Sequence, residues 1–83
     1  MESLRPRQGS ALSRLTPRQQ SVLALIAQGF NNAAIAQQLT LAERTVETYI
    51  YAIYQELQLT GQQDLHARVQ ATRLYLQESQ ADS

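Results

Sequence analysis

The feature that most constrains the fold is a stripe of large apolar residues in the second half of the chain. It consists of Val46, Ile50, Ile53 and Leu57. Their spacing follows the 3.6-residue turn of an α-helix and not the two-residue alternation of a strand. The sequence therefore predicts one helix over Ala42–Leu57, with this stripe buried against the rest of the chain.

A second helix is predicted over Pro17–Gln28, ahead of the stripe. Thr16 can cap it, the proline suits its first position, and Gln19 completes a capping box with Thr16. Gly29 follows the last apolar residue and can adopt the left-handed conformation that ends many helices. Its inward residues are Val22, Leu23, Ile26 and Ala27.

Two shorter patterns complete the set. Asn31 or Asn32 can cap a short helix whose inward residues are Ile35, Ala36 and Leu39. Residues 40–43 and 60–63 offer further capping boxes, ahead of the third and the fourth helix. The fourth helix repeats the spacing of the third with Leu65, Val69, Thr72 and Leu76. Since no segment alternates with period two for long enough to form a strand, the predicted fold class is all-α: a compact four-helix domain over residues 15–77.

The stripe on the fourth helix has two interpretations. Either Leu65, Val69 and Leu76 close the core and leave Leu74 and Tyr75 facing outward, or the stripe faces a partner. Among the other aromatic residues, Tyr54 and Tyr75 are expected to be partly in the core, and Tyr49 is expected to pack against the first helix.

The ends of the chain differ in charge. Residues 1–14 contain proline, glycine, serine and arginine without periodicity, which predicts a flexible basic arm or linker. Residues 78–83 are predicted to be a short acidic tail. Arginine is concentrated in the first quarter, at Arg5, Arg7, Arg14 and Arg18. These arginines either contact DNA phosphates or belong to a solvated arm.

Composition excludes several classes of protein. The chain has 83 residues, 43% of them hydrophobic, and no cysteine, so helix packing or a partner must supply the stability. No apolar stretch is long enough to cross a membrane and no secretory signal is present, which favours a soluble cytoplasmic protein. His66 is the only histidine and is expected to be exposed on the fourth helix. We therefore expect no enzyme activity, metal or cofactor.

Opposite the buried stripe, the third helix carries four polar or aromatic residues. They are Arg44, Thr48, Tyr51 and Gln55. Each can hydrogen-bond a base edge or a phosphate, so the set suits reading of the DNA major groove. An ordinary solvated helix face has the same composition, and periodicity alone favours that interpretation.

The order of motifs resembles the LuxR/NarL-type (GerE-like) helix-turn-helix DNA-binding domain. The segment from Leu15 to Arg18, then Val22-Leu23, Ile26-Ala27 and Gly29, resembles its first helix. Asn31–Leu39 is similar to its second helix, and Leu41–Val46 to the start of its recognition helix. The resemblance covers residues 15–76, about three quarters of the chain.

The resemblance implies a function. It implies that the second and third helices form the helix-turn-helix, that the third enters the major groove of double-stranded DNA, and that the fourth pairs two copies on half-sites. The DNA-facing positions of the family map to Arg44, Thr45, Val46, Glu47, Thr48 and Tyr51. Thr45 is then a phosphate ligand and Thr48 and Tyr51 are base readers, whereas Val46 divides its area between the core and the groove. Gln55 and Arg18 are added as candidate DNA contacts, and the candidate dimer interface is Leu65, Val69, Thr72 and Leu76.

Departures from the family pattern concern charge and caps. Glu47 and Glu56 stand where lysines are usual, Gln62 stands where a base is usual, and the net charge is zero. Ala42 replaces a capping serine, which passes the cap to Thr40. Two hypotheses follow. The first is a DNA-binding transcriptional regulator acting as a homodimer or as a heterodimer with another regulator. The second is a helix-turn-helix-fold protein-interaction module with weakened or lost DNA binding that pairs with another regulator.

Overall fold

The computed structural model describes residues 11–61 and 63–81, which form four α-helices after one short 3-10 helix. The 3-10 helix is Ala11–Arg14, and the α-helices are α1 Pro17–Ala27, α2 Asn32–Leu39, α3 Glu43–Glu56 and α4 Asp64–Ala81. The described residues contain no strand, which confirms the all-α class. Helix α1 packs against both α3 and α4, and α2 packs against α3.

The last four residues of the predicted arm have a regular structure. Residues 1–10 of the predicted arm lie outside the described residues, but Ala11–Arg14 forms the 3-10 helix instead of continuing an irregular arm. The backbone N–H of Leu15 donates to the Leu12 carbonyl at 3.1 Å, and Leu15 is buried. These contacts attach the incoming chain to the core immediately before α1.

The helix starts follow the predicted caps at two places and differ at a third. Thr16 and Gln19 form the predicted capping box, with reciprocal hydrogen bonds of 3.1 and 2.9 Å. Asn31, not Asn32, caps α2 and accepts from the Ala34 backbone N–H at 2.8 Å. The prediction that Thr40 caps α3 is wrong. Ala42 is the N-cap and has no side-chain bond, since alanine has no polar side-chain atom. Thr40 has a left-handed backbone and ends α2 instead.

Three helices end in the same hydrogen-bonded turn, each on a left-handed residue. These residues are Gly29, Thr40 and Gln58, with φ of 94°, 58° and 61°. After α3, for example, the Leu59 N–H donates to the Tyr54 carbonyl at 2.7 Å and the Gln58 N–H to the Gln55 carbonyl at 3.1 Å. This is the Schellman arrangement, which satisfies the last carbonyls of a helix. It keeps the connections short and fixes the angles between successive helices.

The core draws on every helix. Its buried members are Leu15, Val22, Leu23, Ile26, Ile35, Ala36, Val46, Ile50, Ile53, Tyr54, Leu57, Leu59, Ala67 and Ala71. The predicted inward stripe of α3 is therefore confirmed, and so is the burial of Tyr54. Tyr49 and Tyr75 are half-buried against this core.

The interpretation in which Leu65, Val69 and Leu76 close the core is wrong. All three are exposed, and α4 faces the core with Ala67 and Ala71 instead. Leu74 packs against the core as Tyr75 does, so the pair does not face outward. Helix α4 also continues to Ala81, past the predicted domain end at residue 77 and into the predicted tail. Small residues thus occupy the buried side of α4, and Leu65, Val69 and Leu76 lie on another face.

Candidate nucleic-acid interface

Helices α2 and α3 form a helix-turn-helix in which the sides of α3 have separate roles. Three residues, 40–42, join the two helices. The inner side of α3 is buried through Val46, Ile50, Ile53 and Tyr54. Because an α-helix has about 3.6 residues per turn, this burial leaves the opposite side of α3 facing solvent along its whole length.

The four candidate base-reading residues all lie on this solvent-facing side. Arg44, Thr48, Tyr51 and Gln55 are exposed, Tyr51 by 59%. The Thr48 hydroxyl donates to the Arg44 carbonyl at 3.1 Å, so its lone pairs remain free to accept from a base amino group. Gln55 Nε2 lies 3.5 Å from the Tyr51 hydroxyl, a contact too long to fix either group strongly.

The neighbouring candidates divide between the surface and the core. Thr45 and Glu47 are exposed on either flank of the four-residue stripe. Val46 is 0% exposed, contrary to the expectation that it divides its area between the core and a groove. Its place at the start of the i, i+4, i+7 stripe puts its side chain fully inward. Arg18 is exposed in the first turn of α1, on a different helix from the other candidates.

One of the three carboxylates on α3 has a basic partner. Arg14 Nε lies 3.5 Å from Glu56 Oε1, and Arg14 Nη2 donates to the Glu56 backbone carbonyl at 3.1 Å. Both side chains are about half exposed, so the pair adds little stability but reduces the local negative charge. Glu43 and Glu47 have no ion pair among the described residues. Negative charge on α3 is therefore concentrated toward its N-terminal half.

The four candidate dimer residues form a largely exposed face of α4. Leu65, Val69 and Leu76 are 73%, 50% and 44% exposed, and Thr72 is half-buried. A groove of about 340 Å³ is lined by Leu65, Val69 and Thr72, together with Ile26 of α1. The remaining residues that line this groove are Ala27, Gly29, Arg68 and Arg73. The predicted exposure of His66 on the same helix is confirmed.

One arginine of α4 has a structural role that its neighbours in sequence do not predict. Arg68 of α4 donates from Nη2 to the Phe30 carbonyl at 2.8 Å and from Nη1 to Asn32 Oδ1 at 3.3 Å. These bonds attach α4 to the start of α2, and so to the helix-turn-helix. The partners are 38 and 36 residues away in sequence, so no local pattern announces the contact.

The described residues include neither a membrane-spanning helix nor a cluster of metal-binding side chains. No helix in residues 11–61 and 63–81 combines the length and apolar character needed to cross a membrane. No group of three or more histidine, cysteine, aspartate or glutamate side chains in the same residues is placed to hold a metal ion.

Known proteins resemble the chain along most of this domain. The profile of the family described as "Bacterial regulatory proteins, luxR family" matches residues 13–74. The HTH-type transcriptional regulator MalT of Vibrio campbellii is 42% identical over 52 residues, which is 63% of this chain and 6% of that protein. The nitrate/nitrite response regulator protein homolog of Haemophilus influenzae is 35% identical over 75 residues, 90% of this chain and 33% of that protein.

The Escherichia coli nitrate/nitrite response regulator protein NarL is 31% identical over 64 residues, 77% of this chain and 30% of that protein. The chain thus spans a third or less of the length of each of these relatives. No solved structure matches the chain significantly. Because the family profile covers about three quarters of the chain, from the 3-10 helix into α4, the chain belongs to the LuxR family of bacterial regulatory proteins.

Proposed function

We propose that this chain binds double-stranded DNA as part of a transcriptional regulator, with α3 in the major groove. The observation that carries the proposal is the stripe of Arg44, Thr48, Tyr51 and Gln55, exposed on a helix whose other side is core. The named relatives are transcriptional and response regulators. A regulator of this kind acts in the cytoplasm and needs neither a catalytic group nor a cofactor.

Each residue of the interface has a chemistry that suits DNA. Arg44 offers five N–H donors to a guanine edge or a phosphate. Tyr51 and Gln55 can both donate and accept, and the free acceptor of Thr48 suits an adenine or cytosine amino group. Thr45 on the flank is placed to donate to a phosphate, and Arg18 is a candidate for a second phosphate contact.

The test begins with selection of a duplex from a randomised library, followed by fluorescence anisotropy at several salt concentrations. We expect saturable binding whose affinity falls as salt rises, because phosphate contacts release counterions. Arg44→Ala and Tyr51→Ala are expected to weaken binding to the selected duplex by about fivefold or more. Gln37→Ala, at an exposed position of α2, is the matched control and is expected to leave affinity unchanged. The absence of enrichment and of saturable binding at low salt would exclude the proposal.

We further propose that the exposed face of α4 pairs two copies, or one copy with another regulator. Leu65, Val69 and Leu76 place large apolar side chains in water without a core partner, and a second α4 face is the complement that a two-fold dimer would supply. Sedimentation equilibrium is expected to show self-association that L65A/V69A abolishes. Tyr51→Ala removes an equally exposed ring elsewhere and is the control. A monomer at all concentrations would exclude the homodimer, and the heterodimer would then be tested by capture on a full-length regulator of the family.

A second function is favoured by the charges of α3. Two unpaired carboxylates, Glu43 and Glu47, lie near the stripe that would face phosphates, and the chain carries no net charge. An interaction module that pairs with another regulator through α4 needs no phosphate contacts. Glu47→Lys separates the two functions. In a DNA-binding domain it is expected to raise affinity at low salt and to steepen the salt slope by about one unit. A module without DNA binding would instead keep its partner and bind no duplex in either form.

A further inference from the structure

A small pocket lies beside the DNA-reading stripe, where the starts of α2 and α4 meet the middle of α3. Its volume is about 160 Å³, which is room for more than one water molecule. The residues that line it are Asn32, Glu47, Ile50, Tyr51, Tyr54 and Asp64. The pocket therefore joins an apolar floor to two phenols, one amide and two carboxylates.

The acidic groups of the pocket lack basic partners. Neither Glu47 nor Asp64 forms an ion pair within residues 11–61 and 63–81, and both are exposed. Neither Arg44, which precedes Glu47 on α3, nor Arg68 lines the pocket, and Arg68 is engaged by the Phe30 carbonyl and by Asn32 Oδ1. The two carboxylates are the only charged side chains among the described residues that line the pocket, so its wall carries negative charge.

The second and independent observation is the hydroxyl of Tyr54. The residue is only 7% exposed, and its hydroxyl is buried with no hydrogen-bond partner in the described part of the chain. It is close to the Asp64 carboxylate and to Arg68 without reaching good hydrogen-bond geometry with either. Burial, and then the negative charge of Asp64, raise the pKa of the Tyr54 hydroxyl and keep it protonated. A buried polar group without a partner requires an explanation, and a polar ligand in the pocket would supply the missing hydrogen bond.

We propose that this pocket binds a guanidinium group. Its two carboxylates neutralise the charge and accept the N–H donors of a planar fork, and the Tyr51 ring offers a face on which such a group stacks. A metal ion suits the pocket less well, since no third acidic or histidine ligand is placed among the described residues. This binding goes beyond the proposed DNA function and does not depend on it.

The test uses the whole 83-residue chain and two probes of equal shape. N-acetyl-arginine amide carries the guanidinium, and N-acetyl-citrulline amide carries a neutral urea in its place. In 15N–1H correlation spectra, arginine is expected to shift the amides of Asn32, Glu47, Tyr51 and Asp64 saturably, and citrulline is expected to bind at least about fivefold more weakly. Equal responses to the two probes, or shifts spread over the whole surface, would overturn the proposal.

Variants then assign the binding to the pocket. Glu47→Gln removes one carboxylate from an exposed position of a helix and is expected to weaken arginine binding about fivefold. Glu43→Gln removes an acid of the same helix outside the pocket and is the matched control. An equal loss in both variants would reduce the effect to net charge and overturn the proposal. Asp64→Asn is a second pocket variant, and its spectrum also reports whether the first turn of α4 survives.

A short peptide with one arginine between glycines separates the possible sources of the group. Equal affinity for the peptide and for the amino-acid derivative supports a free small molecule as the ligand. At least tenfold tighter binding of the peptide supports a basic side chain of a protein partner. Failure of both probes rejects the pocket, while the duplex titrations described above continue to report on DNA binding alone.

Discussion

Helices α3 and α4 carry apolar stripes with the same spacing, but only α3 buries its stripe in the core. The stripe of α3 is Val46, Ile50, Ile53 and Leu57, and that of α4 is Leu65, Val69, Thr72 and Leu76. The first is buried, whereas the second is exposed except for the half-buried Thr72. Identical periodicity therefore identifies a face of each helix but does not determine which face meets the core.

The difference lies in the size of the residues that each helix buries in the core. Val22, Leu23 and Ile26 of α1 already fill the space between the helices, and α4 meets them with Ala67 and Ala71. Small residues permit close packing of two helices, and Leu65, Val69 and Leu76 lie outside this contact. A leucine left in water forgoes roughly 1.5–3 kcal/mol of burial, which a partner covering α4 would recover.

The largest effect expected from this comparison is at the centre of the α3 stripe. Ile53 is fully buried, so Ile53→Ala is expected to lower the free energy of unfolding by about 2–5 kcal/mol, from lost burial and a residual cavity. Leu65→Ala at the first position of the α4 stripe is the matched control. It is expected to change the stability of the monomer by less than about 0.5 kcal/mol. Urea unfolding monitored by circular dichroism at low protein concentration measures both.

Should Ile53→Ala fail to fold, Ile53→Val provides a graded version with an expected loss of about 0.5–1.5 kcal/mol. Equal losses for the two stripes would break the comparison. They would mean that the face of α4 that carries Leu65 is buried in the monomer after all.

The second effect concerns the alanines on which the packing of α4 depends. Ala71 is fully buried, so Ala71→Leu forces extra volume between α1 and α4. We expect a loss of about 1–3 kcal/mol in the free energy of unfolding, again measured with urea. His66→Leu adds a similar side chain at an exposed position of the same helix and is expected to be nearly neutral. A neutral Ala71→Leu would show that the helices are not in close contact there.

Local signals in the sequence account for most of the fold. Thr16, Pro17 and Gly29 delimit α1 because caps and left-handed terminal residues act within a few positions of the backbone they serve. The inward side of α3 is also correct, since large residues occupy one side only. The orientation of α4 is not determined locally, because its leucine face and its alanine face both repeat at helical spacing.

The candidate site depends still more on contacts that are distant in sequence. The exposed stripe of α3 follows from its buried stripe and is correct. Val46 is wrongly assigned an exposed edge because the resemblance to the family, not its place in the stripe, put it on the DNA side. The Arg14–Glu56 pair joins residues 42 apart, and the pocket at Asp64 joins three helices. Neither arrangement has a sequence pattern by which it could be found.

A smaller effect is expected in the turn that joins the two compared helices. Gln58 has φ of 61°, a conformation that disfavours a residue with a side chain. Gln58→Gly is expected to raise the free energy of unfolding by about 0.5 kcal/mol or slightly more, since the relief of strain exceeds the greater chain entropy of unfolded glycine. Gln37→Gly lies inside α2, where helix propensity applies, and is expected to destabilise instead. Destabilisation by both variants would show that the Gln58 side chain contributes contacts to the turn.

The last effect concerns the polar group that only one of the two helices buries in the core. Tyr54 gives the inner face of α3 a buried hydroxyl without a partner, whereas α4 presents alanines there. Tyr54→Phe is expected to leave the free energy of unfolding at neutral pH unchanged or to raise it by up to about 1 kcal/mol, because no hydrogen bond is lost. A clear loss of stability would mean that Asp64 or Arg68 bonds the hydroxyl, which would remove the main support for a ligand in the pocket.

The same variant has a signature in alkaline solution. Burial and the nearby Asp64 raise the pKa of Tyr54 in the folded protein above its ordinary value of about 10. As the pH rises past 10, the phenol of the unfolded chain ionises first, so the contribution of Tyr54 to stability is complete below pH 10 and is lost as the pH passes through the folded value. Urea unfolding of the unmodified chain and of Tyr54→Phe between pH 8 and about 11 measures the difference in their free energies of unfolding. This difference reports on Tyr54, because every other group titrates in both proteins. We expect the stability difference in favour of Tyr54→Phe to widen above pH 10; a constant difference would show that the hydroxyl is as well solvated as in the unfolded chain.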